Sequence, residues 1–358
     1  MIMIFNSRER ARDRSGGARH SNHLNSARVW IAGCVWLALT LTACGTAAPA
    51  SNTTAPAAAQ PTAAGAGPTA LPTTAGAIPP AASAKLKVVA TTTQVAALTR
   101  IVGGNLIEVH GILQAGVDPH EYEPTAENVK AFANAQIIFV NGVGLEAWLQ
   151  KSIDNSGTKA VLADTSSGVK LRTEKDNSGN TQNDPHIWQT APNAVIMLNN
   201  VRDGLSKLDP ANAGTYQANA AAYERTLNNL DQYIQAQIAT IPAGNRKVVA
   251  NHDGFGYYFE RYQLTFVGAV IPSMDTNFQP SARELANLVA KIRAEKVKAI
   301  FIESSINPQL AQQVAREAGV KVVDGALYGD TLGPPGSGAD TLDGMLRANT
   351  DLIVAALR

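Results

Sequence analysis

Three histidines lie in sequence settings that suit a shared metal-binding site. His120 and His186 are each the third residue of an Asp-Pro-His triplet, and His252 follows an apolar run that predicts a strand. Imidazole is a common ligand for zinc and other first-row transition metals. Each histidine alone is more simply explained as a hydrogen-bonded loop residue. Because three of the four histidines in the predicted folded part lie on comparable loops, we expect them to share one site.

The two triplets would also prepare their histidines for binding. The aspartate of each triplet, Asp118 or Asp184, could accept a hydrogen bond from the ring N–H that faces away from the metal, which would fix the tautomer. Pro119 and Pro185 would stiffen the backbone just before each ligand. The fourth histidine, His110, lies inside a predicted strand and is expected to be structural.

A carboxylate can complete a tetrahedral site made of three imidazoles. Asp330 is the candidate, in a loop that follows a predicted strand ending at Asp324. On sequence alone, Asp330 could instead be an ordinary turn residue beside Gly329. The position of Glu303 at the end of a predicted strand is also suitable. Four other carboxylates therefore stay open as the fourth ligand: Glu121, Asp253, Glu303 and Asp324.

The composition excludes several other kinds of site. The two cysteines, Cys34 and Cys44, both lie near the N-terminus, so the predicted folded part can hold neither an internal disulfide nor a cysteine-rich zinc site. The formal net charge is +1, and six arginines lie within residues 1–28. The rest of the chain thus lacks the basic excess that nucleic-acid binding needs.

The elements that must position these residues alternate between strand and helix. In the first half, apolar runs predict strands at 85–90, 106–113 and 136–140, and helical spacing predicts helices at 91–102, 125–134 and 193–208. The polar segment 170–184 is predicted to be a surface loop. Alternation of this kind is typical of an α/β lobe with a parallel sheet.

A second α/β series follows. Strands are predicted at 247–250, 264–271, 299–303 and 321–324, with helices at 254–262, 281–294 and 308–318. Two such lobes with a cleft between them are a usual ligand-binding arrangement. His252 would lie at the carboxyl end of a strand, where α/β folds place ligands.

One long helix is predicted between the two series. Asp209-Pro210 is a strong start signal, with Asp209 as N-cap and Pro210 in the first turn, and apolar residues keep helical spacing as far as Thr240. About 30 residues would give roughly 45 Å, which is more than the width of one lobe. The helix either packs on a single lobe or forms a rigid connection between two.

The N-terminus has the features of a secreted, lipid-anchored protein. An Arg-rich start is followed by the apolar run 29–41, which is short for a membrane span and fits a signal peptide. The run ends in Leu41-Thr42-Ala43-Cys44, which resembles a bacterial lipobox, so we expect a signal peptide at 1–43 and lipidation of Cys44. Residues 44–84, rich in Ala, Pro and Thr, are expected to be a disordered tether with a span of roughly 35 Å. A plain signal peptide or a membrane helix with an incidental cysteine is the alternative.

Several motifs in this order resemble the zinc- and manganese-binding substrate-binding lipoproteins of ABC transporters. The resemblance covers about 86–358, and its motifs lie at 118–124, 144–148, 184–188, 252–258, 301–303 and 328–330. It implies an α/β fold in which two lobes with parallel sheets are joined by one long rigid helix, with the metal site in the interlobe cleft and limited domain motion. The lobes would be 85–208 and 242–358, with the linking helix at 209–241.

The resemblance also implies the ligands and the partner. The family's four ligand positions fall on His120, His186, His252 and Asp330, the first two from the N-terminal lobe and the last two from the C-terminal lobe. The chain would then be a receptor, not an enzyme, that delivers its ion to an ABC transporter permease. We expect it to act outside the cytoplasm as a monomer.

The third ligand position bears on the choice of metal. Family members with histidine there lean to zinc and those with glutamate to manganese, so His252 favours Zn²⁺, with Mn²⁺ next. Some members with three histidines and an aspartate accept both metals, and segment 170–183 lacks the histidines that many zinc members carry in this loop. Segment 188–193 also departs from the usual Trp-Leu-Asp-Pro pattern, a change expected to affect a helix cap more than a ligand.

Two other functions stay open on the sequence. Without Asp330 the three histidines would leave an open position, as in a metal-dependent hydrolase that uses a three-His zinc site. A receptor for an organic ligand would need aromatic surface, and the aromatic content is only 6%. An adhesin-like role at the cell surface would be compatible with metal capture.

Overall fold

The computed structural model describes residues 84–175 and 179–358. The predicted signal peptide at 1–43, the lipidation site Cys44 and nearly all of the predicted tether lie outside the described residues. Within the described part, every helix is too short or too polar to cross a lipid bilayer.

The N-terminal lobe is built on a parallel sheet of four strands. The strands are β1 (Leu86–Ala90), β2 (Ile107–Gly111), β3 (Ile137–Val140) and β4 (Val161–Asp164), in the spatial order β2-β1-β3-β4. All three pairings are parallel, as the alternation of elements predicts. The helices of this lobe are α1 (Thr93–Gly103), α2 (Ala126–Asn134), α3 (Leu149–Ser156) and α4 (Ala191–Leu208).

Alternate residues of the strands enter different apolar clusters. Val88 and Ala90 pack in a cluster with buried residues of α1 and α4, while Val89 between them packs in a second cluster with Phe132 of α2 and Leu149 of α3. This is the twofold side-chain period of a strand that is covered on both faces.

The predicted surface loop at 170–184 is partly a hairpin. β5 (Thr173–Lys175) pairs antiparallel with β6 (Thr181–Asn183), so the prediction of a plain loop is wrong here. Most residues of the two strands are exposed. Polar side chains hide the pairing from a search for hydrophobic alternation, because neither face of the hairpin is buried.

The C-terminal lobe repeats the plan of the first lobe. Its parallel strands are β7 (Lys247–His252), β8 (Thr265–Ile271), β9 (Ala299–Glu303) and β10 (Lys321–Leu327), in the order β10-β9-β7-β8. Its helices are α6 (Gly256–Arg261), α7 (Ala282–Glu295), α8 (Gln309–Ala318) and α9 (Leu342–Leu357). Helices α7 and α8 enclose a separate apolar cluster around Val249 and Ile300.

The long helix α5 (Ala213–Ala239) contains 27 residues and therefore spans about 40 Å. It packs against α1 and α4 of the first lobe and against α9 of the second. The prediction that it starts with Asp209 as N-cap is wrong, because Pro210–Asn212 form a separate 3₁₀ turn. The Asp209 carboxylate accepts hydrogen bonds from Asn212 Nδ2 (2.7 Å) and from the hydroxyl of Tyr216 (2.8 Å) instead of capping the helix.

Candidate metal centre

His120 lies in the loop between β2 and α2. The Asp118 carboxylate accepts the backbone N–H of His120 at 2.9 Å, which closes a tight turn within the triplet. The indole N–H of Trp148, just before α3, donates to the carbonyl of Pro119 at 3.1 Å. The peptide group before the histidine is thus fixed from both sides.

His186 ends the second triplet, shortly before α4. Oδ1 of Asp184 accepts the backbone N–H of His186 at 3.0 Å and lies 2.8 Å from ring Nδ1, so the expected tautomer-fixing bond is confirmed for this histidine. In the first triplet the described contact of Asp118 is with the main chain of His120. The side-chain amide of Asn141, at the end of β3, donates to the carbonyl of Pro185 at 3.0 Å.

Arg172 balances the charge behind His186. Its guanidinium donates to Oδ2 of Asp184 at 2.6 Å and to Glu260 of α6 at 3.2 Å. Burial would raise the pKa of the Asp184 carboxyl, but the His186 and Arg172 contacts lower it, so that the carboxylate stays ionised. Tyr257 donates to the carbonyl of Asp184 at 3.0 Å. These contacts connect the His186 segment to the C-terminal lobe.

His252 is the last residue of β7. Oε1 of Glu303, the last residue of the neighbouring strand β9, accepts the backbone N–H of His252 at 3.1 Å and lies 2.7 Å from ring Nδ1. Parallel strands end at the same edge of a sheet, which is why the two residues meet. Gly254 lies so close that an added Cβ would collide with the His252 ring, and it would also stand 3.3 Å from His186.

Asp330 lies in the loop after β10 and is fully buried. Its two carboxylate oxygens, and Nε2 of His120, are buried without a hydrogen-bond partner among the described residues. Buried polar atoms are nearly always satisfied, so three orphaned atoms that face one another indicate a position for a cation.

The four side chains converge on one small space. Their ligand atoms all lie within 4.8 Å of one another. Asp330 oxygens are 3.4 Å from Nε2 of His186, 3.5 Å from Nε2 of His252 and 3.9 Å from Nε2 of His120, and the last two distances share Oδ2. The Nε2 atoms of His186 and His252 are 3.3 Å apart. Metal–ligand bonds of about 2.1 Å in a tetrahedron place ligand atoms about 3.4 Å apart.

Exposure differs among the four. The side chain of His120 is 8% exposed, whereas those of His186, His252 and Asp330 are at 0%.

Carboxylates set the protonation of the two inner histidines. Burial would lower the pKa of His186, but the hydrogen bond to Asp184 and the nearby carboxylate of Asp330 raise that pKa to about 10. Burial also opposes the charged form of His252, and the nearby charges of Glu303 and Asp330 outweigh it and raise the pKa to about 9. The pKa of His120 is lowered, mainly by burial. The Asp330 pKa is held well below its usual range by His252 and His186 against the effect of burial.

The other candidates from the sequence lie elsewhere. Glu121 and Asp324 are exposed, and Asp253 lies outside the group of four. Glu303 contacts the centre through His252. His110, within β2, is also outside the group, as expected of a structural histidine.

Sequence reasoning missed several residues that support the site. Arg172 gave no local signal, because it is linked to Asp184 by folding alone. Trp148 ends the motif at 144–148 and Asn141 lies shortly before it, but the contacts of the two residues were not predictable from the motif. The departure at 188–193 was expected to affect a helix cap, and Thr190 does cap α4 by accepting the N–H of Asn193 at 3.4 Å. Gln189 additionally reaches the carbonyl of Gly329 at 3.0 Å, beside Asp330, so that expectation was incomplete.

Known proteins are similar to this chain in sequence and in fold. The family model described as zinc-uptake complex component A, periplasmic (ZnuA), matches residues 88–356. The metal ABC transporter substrate-binding lipoprotein SloC of Streptococcus mutans serotype c is 31% identical over 282 residues, which cover 76% of this chain and 90% of that protein. The manganese ABC transporter substrate-binding lipoprotein PsaA of Streptococcus pneumoniae is 31% identical over 280 residues, covering 76% and 89%.

A solved structure extends the similarity to the whole described fold. The periplasmic zinc binding protein TroA from Treponema pallidum superimposes with a TM-score of 0.71 at 28% sequence identity. The match covers 76% of this chain and 99% of that chain.

Proposed function

This chain belongs to the ZnuA family, the periplasmic component A of zinc-uptake complexes, and from that premise we propose that it is an extracytoplasmic receptor for one divalent transition-metal ion, which it delivers to an ABC transporter. The ligands in this proposal are His120, His186, His252 and Asp330. The observation that carries it is the convergence of their ligand atoms, all within 4.8 Å of one another, with orphaned buried atoms facing inward. We take the cargo to be Zn²⁺ first and Mn²⁺ second.

The donor set supports this order of metals. Three imidazoles and one carboxylate suit zinc, whereas manganese prefers more oxygen ligands and a larger coordination number. The relatives point to both metals, because TroA is described as zinc binding and PsaA as a manganese lipoprotein. The nitrogen-rich set is the reason that we place zinc first.

The hydrolase alternative is less well supported. A catalytic zinc usually keeps three protein ligands and one open position, and Asp330 stands where the open position would be. The relatives are named as substrate-binding lipoproteins of transporters. Cargo binding with four protein ligands fits that role better than turnover does.

Location and partner follow from the same premise. The ABC transporter named for the relatives implies a permease and an ATPase in the membrane. The lipobox-like sequence before Cys44 supports anchoring by lipidation after removal of 1–43, and the composition of 44–84 supports a tether. We propose that the anchored protein works as a monomer.

Metal titration tests the proposal. The full chain, purified in mild detergent and stripped with a chelator, is titrated with Zn²⁺ and Mn²⁺ by calorimetry, and its metal content is measured after expression in balanced medium. We expect one tight site that is lost in His120→Ala, His186→Ala and His252→Ala and kept in the matched control His110→Ala. A wild-type chain that binds neither metal, or that turns over ester or phosphate substrates, would contradict the proposal.

A further inference from the structure

The loop that carries Asp330 is bound to the lobe opposite its own. By sequence the loop follows β10 of the C-terminal lobe. The carbonyl of Gly329 nevertheless accepts hydrogen bonds from the Trp188 indole (2.9 Å) and the Gln189 amide (3.0 Å), and the carbonyl of Asp330 accepts one from the Gln94 amide (2.9 Å). All three donors belong to the N-terminal lobe.

The next two residues of the loop make the same crossing. The hydroxyl of Thr331 accepts the backbone N–H of Gly116 at 3.0 Å. The backbone N–H of Leu332 donates to the hydroxyl of Thr93 at 2.9 Å. Every residue from Gly329 to Leu332 is thus hydrogen-bonded to the N-terminal lobe.

The lobe that holds the chain changes at the peptide between Tyr328 and Gly329. Tyr328, immediately before this stretch, bonds through its N–H and its carbonyl to the side chain of Asn349 in α9, both at 2.8 Å. The chain is therefore held by the C-terminal lobe at Tyr328 and by the N-terminal lobe from Gly329 to Leu332.

Burial makes the loss of any of these hydrogen bonds costly. Gln94, Trp188, Gln189 and Asp330 are all at 0% exposure. Without Gln94 the Asp330 carbonyl would lose its one described donor, and without Gln189 the Gly329 carbonyl would lose one of its two, so either loss weakens the hold on the loop. Gly329 also lies so close to Glu303 that an added Cβ would collide with the carboxylate. With the main chain fixed at two consecutive carbonyls, the Asp330 side chain keeps only its own two torsions to reach the ion.

We propose that Gln94, Trp188 and Gln189 are the positioning residues that place the Asp330 carboxylate against the three histidines. The fourth ligand is thereby set by the lobe that supplies His120 and His186. This inference rests on the proposed function, since it concerns the ligand geometry of the same site.

A thermodynamic cycle tests the inference. Zn²⁺ affinity of the full chain is measured by chelator competition for Gln189→Leu, Gln94→Leu, Asp330→Ala and the two double variants, with Gln182→Leu at an exposed position of β6 as the matched control. Gln189→Leu and Gln94→Leu should each lose about tenfold in Zn²⁺ affinity in the wild-type background. This is the scale expected when a hydrogen-bond partner that orients a metal ligand is removed. In the Asp330→Ala background the same variants should change affinity by less than about twofold, because there is no carboxylate left to place.

Co²⁺ absorption provides a second measurement. The visible spectra of the Gln189→Leu and Gln94→Leu proteins should shift from the wild-type spectrum toward that of Asp330→Ala, whereas Gln182→Leu should match the wild type. Gln94 lies on α1 and Gln189 precedes α4, so either variant carries the test if the other does not fold. Equal losses in both backgrounds, or full affinity in both variants, would overturn the positioning role. A wild-type chain that binds no metal would instead remove the proposed function itself.

Discussion

At the scale of single residues, the two inner histidines are held in the same way. In each, one carboxylate oxygen meets both the backbone N–H and ring Nδ1, which leaves Nε2 facing the centre. Asp184 comes from the same triplet as His186, whereas Glu303 comes from the neighbouring strand. The first partner could be predicted from sequence, and the second depends on strand pairing.

Replacement of Glu303, the partner of His252 on the neighbouring strand, should weaken metal binding. Glu303→Gln keeps the shape of the side chain but removes the charge that orients the His252 ring, so we expect Zn²⁺ affinity to fall by about 10- to 100-fold. Competition with a chelator measures the loss. Glu121→Gln, at an exposed carboxylate near His120, is the control and should bind like the wild type. Unchanged affinity in Glu303→Gln would show that the ring needs no such partner.

Metal binding should release protons. The pKa values of about 10 for His186 and about 9 for His252 lie above pH 7.5, so both rings are protonated in the empty site. A bound ion must displace both protons, and the apparent affinity should therefore rise with pH, by up to about 100-fold per unit below pH 9 and by about tenfold per unit between about 9 and 10. Calorimetry in two buffers of different ionisation enthalpy counts the protons, with about two expected. Release of none at pH 7.5 would contradict the charged state of the rings.

At the scale of elements, one short segment holds both triplets. Asn141 binds the carbonyl of Pro185, and Trp148 binds that of Pro119. Between them, the buried carboxylate of Glu146 accepts the backbone N–H of Asn141 at 2.6 Å and the hydroxyl of Thr91 at 2.6 Å. The connection from β3 to α3 therefore fixes the distance between the two histidine loops.

Removal of one of these bonds should loosen the site without unfolding the lobe. Trp148→Phe keeps an aromatic ring beside Tyr122 but loses the donor to Pro119, at a cost of about 1 kcal/mol, or roughly fivefold in Zn²⁺ affinity. Chelator competition and the unfolding midpoint of the metal-free protein are measured together. Tyr233→Phe removes a hydrogen bond to Asp351 far from the centre and should leave affinity unchanged. A fall in midpoint with full affinity would mean that Trp148 serves stability alone.

Sequence patterns located most elements but few of the contacts between them. The helix at 281–294 was predictable because Ser281 and Glu284 form a capping box, which is a local signal. β4 was missed because its residues, among them Val161 at 52% exposed, show no buried face. α9 was missed as well, since buried polar residues such as Asn349 interrupt its apolar pattern. That amide is buried because it binds Tyr328, a contact that only the fold creates.

In the site, too, the local motifs were predictable and the contacts that depend on the fold were not. The three histidines and Asp330 were predictable as a set, because their motifs are local and the resemblance orders them. The crossing of the Asp330 loop to the N-terminal lobe was not, since sequence order assigns the loop to the other lobe.

At the scale of the whole molecule, the two lobes share one apolar core. A single cluster runs from Val88 and Phe139 in the first sheet through Leu227 of α5 to Val248 and Phe301 in the second sheet. A hinge that opened widely would have to expose part of this cluster to water, at a cost of about 25 cal/mol per Å². Large separation of the lobes is therefore unfavourable.

The shared core predicts a small change of shape on metal binding. In small-angle scattering, the radius of gyration of the protein should differ by no more than about 1 Å between the metal-free and the Zn²⁺-bound state. The thermal midpoint should rise with Zn²⁺ concentration, because the ion binds only the folded state. A contraction of several Å would show that the cluster breaks in the empty protein.

The unequal exposure of the four side chains indicates from which side an ion should reach the proposed site. An ion that approaches the proposed site from solution should meet the imidazole of His120 first, since the side chains of the other three residues are at 0% exposure. The side of His120 is thus the expected entrance to the proposed site.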